Sequence, residues 1–548
     1  MRFLLLATVA LSATAAFAAE PRFDMQRLSG DIRTLSSDAF EGRAPATAGE
    51  KKTVDFLIER MREAGLEPGG TMGPDGKRAW TQDVPLLKAE ITGTPQVSLT
   101  IAGTRRALAQ GQEVAVRAAL TGDTAISLQN APLLFVGYGI RAPERDWDDF
   151  KGMDVRGKIL VVLVNDPDFE GPEGRFGGKA MTYYGRWTYK FEEAARQGAA
   201  GMLIVHESEP ASYGWGTVAS SNTNTMFDIV RDDPKAAHTA LEAWIQRDVA
   251  VELFKASGLD FEKARVEARS PTFRPMPLKA TLDARYQVKP ETIISKNVLG
   301  LLPGTLHPEE TVIYSGHWDH LGVGAPDATG DTIFNGALDN ASGIAGMLEL
   351  ARAFKAAPAL PRSVLFMAVT AEEKGLLGST YYAANPVWPL ARTAGVLNMD
   401  SIIGAGPARD FTISGQARLG LLDLLVEEAK ARDRTYTPDP KVEAGGFFRS
   451  DHFPFAKQGV PAISFGPGQD LLQGGREAGK KWSDEYTRQH YHRQSDEWSA
   501  DWNLEGARQD LDLLYAVGHR LAAGRDWPNW SGDSEFRPAR DASADQRQ

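Results

Sequence analysis

From about Ser295 onward, short apolar runs alternate with amphipathic stretches of helical period, and this alternation constrains the fold more than any other feature of the chain. VLGLLPG, TVIYSGH, SVLFMAVTAE, GVLNMDSI and PAISFGPG read as strands, while SGIAGMLELARAFKAA and LGLLDLLVEEAKARD read as helices. Near-continuous apolar strands separated by helices predict an α/β fold with a mixed, largely parallel sheet sandwiched by helices. The middle of the chain has a different texture. QVSLTIAG, APLLFVGYGI, GKILVVLVND and AGMLIVHE are β-like runs between loops, with one helical piece around TYYGRWTYKFEEAARQG. The simplest arrangement is one α/β domain built from both ends of the chain, carrying a β-rich insertion. Near the start, EKKTVDFLIERMREAGLEPGG sets Val54, Leu57, Ile58, Met61 and Leu66 on one helical face and stops at Gly and Pro.

With 548 residues the chain is long enough for two or three domains. The expected organisation is a signal peptide over residues 1–18, a first part of the α/β domain over 22–100, the insertion over 101–284, the main part of the α/β domain over 285–525, and a disordered tail over 526–548. MRFLLLATVALSATAAFA carries Arg2, an apolar run and small residues at Ala16 and Ala18, the pattern of a cleaved secretory leader. The run is shorter than the roughly 20 apolar residues of a membrane span, so no stable membrane anchor is expected after cleavage. The expected location is the periplasm or the extracellular medium. A net charge of −11 without a Lys/Arg cluster argues against nucleic acid as a partner. The chain has no cysteine, so any metal must be held by His, Asp and Glu.

In open α/β sheets, function gathers at the carboxyl ends of the strands. TVIYSG runs into His317 and Asp319, SVLFMAVTA into Glu372 and Glu373, and GVLNM into Asp400. Asp339 stands in GALDNASG, and His492 in YHRQSDEW. Each has a bland alternative: Asp339 as a helix N-cap, Asp400 as a turn residue, His317 as a core histidine, the two glutamates as a solvated loop. All of these would have to hold together. No G-x-S-x-G elbow and no G-x-x-x-x-G-K-[ST] loop is present.

The set GHWDHLG, GALDNASG, AEEKGLLGS, NMDS and YH, in this order, resembles the co-catalytic di-zinc exopeptidases of the bacterial leucyl aminopeptidase and glutamate carboxypeptidase type. FVGYGIRAPERDWDDFKGMDVRGKILVVLVNDP resembles the protease-associated domain many of them carry, and SDHFPFAKQGVPAISF a further block near their active site. The resemblance implies the zinc exopeptidase fold and two Zn²⁺ ions. Asp339 would bridge them, with His317 and Asp400 completing one site and Glu373 and His492 the other. Glu372 would be the general base, Asp319 the partner that orients His317, and Tyr491 a donor to the developing oxyanion, with a packing role as its alternative. Three ligand carboxylates and a hydroxide balance four positive metal charges, and ligating imidazoles need a partner to fix their tautomer. Strand parity makes His320 structural or peripheral, and His490 is the rival of His492. The implied activity is release of N-terminal residues from a peptide substrate. The alternatives are a carboxypeptidase or dipeptidase, for which Arg449 is a candidate carboxylate binder, and a non-catalytic binding protein on the same fold.

Overall fold

The structure is a computed structural model and describes residues 21–171 and 174–547. The leader expected at residues 1–18 lies outside the described residues. Among those described, no helix is long and apolar enough to cross a membrane.

The site-bearing half is built on four adjacent parallel strands: Arg362–Val369, His307–His317, Thr393–Met399 and Ala462–Pro467, in that spatial order. Asp410–Ile413 extends the far side in antiparallel pairing with Ala462–Pro467, and the short Thr435–Tyr436 forms the edge beyond it. Val312, Ile313, Tyr314, Val364, Leu365, Val396 and Leu397 are all buried, as strands covered on both faces require. Helix Gly343–Ala356 is apolar almost all round. It packs on the sheet and against the helices Met25–Leu35 and Glu505–Ala523, and is buried along most of its length. Helix Glu505–Ala523 comes so close to the sheet at Gly518 that an added Cβ would sit 1.8 Å from Tyr314 Oη, so only glycine fits there.

Two long strands carry the sheet into the middle segment. Thr81–Ile101 and Met276–Leu302 pair antiparallel over nearly their whole length. The end of Met276–Leu302 also pairs with Arg362–Val369, and its beginning with Ala125–Phe135. From Ala125–Phe135 a second parallel set runs through Ile159–Leu163, Gly201–His206 and Leu241–Gln246, with helices Trp187–Arg196 and Arg247–Ala256 beside it. The observed architecture is thus the expected mixed, largely parallel sheet flanked by helices. The middle segment is itself strand and helix.

The tail is a correction. Its polar, charged composition predicts disorder over 526–548, yet residues 526–547 are packed. Trp530 and Phe536 are buried against each other and against Phe447, and Trp530 Nε1 donates to the Gly459 carbonyl at 2.9 Å. Arg540 is buried and donates to the Thr393 carbonyl at 3.0 Å. Three anchors in a polar stretch outweigh its mean composition because each fills a pocket between existing elements.

Candidate metal centre

Three of the parallel strands end side by side. His317 is the last residue of its strand and pairs in register with Val369, three residues before Glu372; Met399 on the other neighbouring strand is followed by Asp400. Strand order therefore gathers His317, Glu372, Glu373 and Asp400 at one carboxyl edge. Asp339 arrives from the irregular segment Ala337–Ser342, in which the Asp339–Asn340 peptide is cis. It is not the helix cap that its position suggested. Asn340 does that work: its Oδ1 accepts from Gly343 N at 2.9 Å and Ser401 N at 3.0 Å, and its Nδ2 donates to the Met399 carbonyl at 2.9 Å. The Asp339 carboxylate is left free to face the histidines.

His317 Nε2 lies 3.2 Å from Asp339 Oδ1 and 3.4 Å from Asp400 Oδ1. His492 Nε2 lies 3.2 Å from Asp339 Oδ2 and 3.2 Å from Glu373 Oε2. Ligand atoms about 2.0–2.1 Å from one tetrahedral ion stand roughly 3.3 Å apart, so both triads have the spacing of a metal's coordination sphere. Asp339 belongs to both, one oxygen to each. His492 holds its place with φ 56°, a left-handed conformation that histidine tolerates better than most residues.

His320 corrects the parity argument. It is fully buried at the centre, its Nδ1 2.7 Å from Glu373 Oε1, because the strand ends at His317 and alternation no longer applies beyond it. With Asp339 and Glu373 it forms a further group able to hold a cation. The 2.7 Å contact is tighter than two ligands of one ion require, which favours His492 as the ligand and His320 as a buttress of Glu373. An added Cβ at Gly336, where φ is +52°, would stand 2.6 Å from the His320 ring, so the close approach of this loop depends on glycine. His490 faces away, its Nδ1 2.9 Å from the Ser495 carbonyl.

Asp319 also sits differently from expectation. His317 Nδ1 is 3.1 Å from the backbone carbonyl of Asp319 and 3.8 Å from its carboxylate, so the carbonyl is placed to set the imidazole tautomer. The carboxylate Oδ1 instead accepts the Glu372 N–H at 3.0 Å and holds the glutamate doublet in place. The Glu372 side chain makes no hydrogen bond among the described residues. Tyr491, 46% exposed, stacks its ring on His492 with centroids 3.9 Å apart, and its phenol has no hydrogen-bond partner among the described residues.

Four contributors were not singled out as site residues from sequence. Asp496 is buried, and its carboxylate accepts Leu338 N at 3.0 Å, Asp339 N at 3.1 Å and the Tyr486 hydroxyl at 3.1 Å. Arg43 is buried and donates to the carbonyls of Leu35, Trp318, Asn335 and Gly336 at 2.6–2.9 Å, tying the N-terminal segment to the two loops that carry His317 and Asp339. Ser450 donates to Asp400 Oδ2 at 2.8 Å, and Asp451 accepts from Ser379 at 2.5 Å. Asp496 had a sequence signal in its offset of four residues from His492, and Ser450 and Asp451 open the block SDHFPFAKQGVPAISF already noted. Arg43 bonds to backbone carbonyls, which leave no mark on side-chain pattern.

Electrostatics follow from this crowding. Burial pushes the Glu372 carboxyl well above its usual range, and the charges of Asp400, Glu373 and Asp451 add to this against the opposing pull of His317. Burial raises Asp319 to about 6. For His317 burial disfavours the cation, but Glu372, Asp339 and Asp400 outweigh it and hold the imidazole well above its ordinary value. Burial lowers Arg43 to about 10, while Asp496 and Asp339 pull it the other way. Asp319 Oδ2, Glu373 Oε1 and both His320 nitrogens are buried without a well-aligned hydrogen bond. Excess buried carboxylate, unsatisfied polar atoms and tetrahedral ligand spacing together fit a bound cation.

Residues 297–516, which contain every candidate ligand just described, match the model of Peptidase family M28. The chain is 31% identical over 189 residues to Leupeptin-inactivating enzyme 1 of Streptomyces exfoliatus, covering 34% of this chain and 39% of that one. It is 28% identical over 174 residues to Aminopeptidase YwaD of Bacillus subtilis, covering 31% and 35%. A stretch of 128 residues is 36% identical to a probable zinc metalloprotease of Leptosphaeria maculans, covering 28% of it. The chain thus spans less than half the length of the curated relatives it matches. Among solved structures, the aminopeptidase from Aneurinibacillus sp. strain AM-1 aligns over 92% of this chain and 96% of its own, at 19% identity and a TM-score of 0.48.

Proposed function

We propose that the protein is a secreted zinc-dependent aminopeptidase that hydrolyses N-terminal peptide bonds. The observation that carries this reading is the pair of triads sharing Asp339, with ligand atoms 3.2–3.4 Å apart. The names of the relatives, a zinc metalloprotease and an aminopeptidase, support it. His317, Asp339 and Asp400 would hold one zinc ion, and Asp339, Glu373 and His492 the second. When bound, the metal supplies an acidified water and an electrophile for the scissile carbonyl.

The remaining chemistry belongs to the chain. Glu372, free of hydrogen bonds and held by its N–H on Asp319, takes a proton from the attacking water and returns it to the leaving amine. Tyr491 offers its unpartnered phenol to the oxyanion. The middle segment serves as the protease-associated domain and shapes access to the site. The leader over residues 1–18 sends the chain to the periplasm or beyond.

A panel of free-amine and N-blocked dipeptides, assayed with and without a chelator, tests the reading. Free-amine substrates are cleaved and chelation abolishes turnover. Cleavage confined to N-blocked substrates rejects the aminopeptidase assignment, and full activity after metal removal rejects the metal mechanism.

A further inference from the structure

Two histidines stand at Glu373, one on each carboxylate oxygen. His492 Nε2 is 3.2 Å from Oε2, His320 Nδ1 is 2.7 Å from Oε1, and the two ring centroids are 5.8 Å apart. His320 is fully buried. Among the described residues neither of its ring nitrogens has a well-aligned hydrogen bond, and neither does Glu373 Oε1. A buried imidazole that leaves both nitrogens unpaired is costly, so it calls for a partner of another kind. The 2.7 Å contact is short yet misaligned. A hydrogen bond aims the N–H at its acceptor, whereas two ligands of one cation both aim at a third point. Asp339 completes such a set: His320, Asp339 and Glu373 each bring a ligand atom within 4.8 Å of the others.

His492 is held less firmly. Its side chain is 36% exposed. It sits in the turn after helix Gly475–Gln489, in which Gly479 is the one buried residue, and the helix starts from Gly474 and Gly475 at φ 87° and 61°. The segment is tied to the body by scattered single hydrogen bonds, such as Tyr486 Oη to Asp496 at 3.1 Å and Gln494 Nε2 to the Ala325 carbonyl at 2.9 Å. Little burial and a glycine joint make it an element that opens at low cost.

We propose that His320 is an inner ligand that takes the place of His492 at the ion shared by Asp339 and Glu373, when the turn carrying His492 moves outward. The exchange replaces one neutral imidazole by another, so the charge and the donor set stay the same. At Nδ1 it needs a shift of about 0.6 Å, from the 2.7 Å contact to the roughly 3.3 Å between ligands of a tetrahedral ion. Tyr491, stacked on His492 at 3.9 Å, leaves with it. The exchange opens the rim for substrate to enter and product to depart while the cation is retained. It rests on the two-zinc reading of the site and adds a movement to it.

The test loads the full-length protein and its His492→Ala variant with cadmium-113 after labelling histidine with nitrogen-15. The wild type is expected to show two cadmium signals, each split by a histidine nitrogen. In His492→Ala both signals persist and both remain split, by His317 and by His320. The second zinc ion, measured by chelator competition, binds this variant within about 100-fold of wild type. Adding His320→Gln removes the splitting of the second signal or the signal itself. The single variant decides the matter even if the double variant fails to fold. A second signal that is unsplit in His492→Ala, or loss of that ion from the single variant, overturns the exchange and leaves the two-metal site standing. A wild type that binds fewer than two ions overturns the two-zinc reading instead.

Discussion

Replacing Asp496 by Asn probes how the metal centre is held by a residue that touches no metal. The Asp496 carboxylate receives three donors: Leu338 N on Oδ1, and Asp339 N and Tyr486 Oη on Oδ2. An asparagine of the same shape can keep only one acceptor oxygen. If that oxygen stays on Leu338 N, the new NH₂ faces the Asp339 N–H, and only the Tyr486 hydroxyl can turn to accept. One buried N–H is then orphaned at Asp339 itself, which costs about 1–3 kcal/mol. The substitution also removes a negative charge beside a cation site. Both effects weaken metal binding, by about 10- to 100-fold as found for such supporting residues. Competition with a chromogenic chelator measures the zinc affinity, and urea unfolding with and without zinc separates it from folding. Unchanged zinc affinity, with equal loss of stability in the apo and zinc-loaded forms, would refute the argument and make Asp496 scaffold alone.

Glu372→Gln is expected to lower kcat by about 10²- to 10⁴-fold with both metals retained, whereas Glu373→Gln loses metal from one site; metal analysis beside kinetics checks the division. In the middle segment, burial opposes the charged form of His238, but the charge of Glu242 and hydrogen bonds to Asp228 and Glu242 raise it to about 9. A histidine raised in the folded state stabilises fully below its unfolded value of about 6.5 and loses that contribution as pH rises through about 9, on the order of 3 kcal/mol. Unfolding free energies between pH 6 and 10 should show the decline, and His238→Gln should remove it. Trp530→Ala is expected to destabilise the protein by about 3–5 kcal/mol, read as a lower urea midpoint, because it empties a pocket shared with Phe447 and Phe536.

The strand-ending motifs were legible because parallel strands announce themselves as apolar runs and their carboxyl ends are where ligands collect. That logic found His317, Glu372, Glu373 and Asp400. It misjudged His320, since alternation stops where the strand does, and it placed the Asp319 carboxylate on His317 when the backbone carbonyl lies nearer. Arg43 was beyond reach: its partners are four carbonyls on three segments, two of them 275–293 residues away, and no side-chain pattern records them. The tail was misread because average polarity hides three well-spaced anchors, Trp530, Phe536 and Arg540.

The paired strands Thr81–Ile101 and Met276–Leu302 have a mechanical consequence. Between the two parallel sets the sheet narrows to a ribbon of these two strands, with Met226–Ile229 along one edge. Its ladder is unbroken from Val288–Ile91 to Val298–Thr81 and shifts register between Arg285 and Gln287. The middle segment is held to the site-bearing half a second time, away from the ribbon: Lys457 Nζ donates to the Tyr183 hydroxyl and to Glu192 at 2.9 Å, and Arg145 lies 3.3 Å from Glu535. Two attachments at separate places leave the middle segment no single axis about which to turn freely.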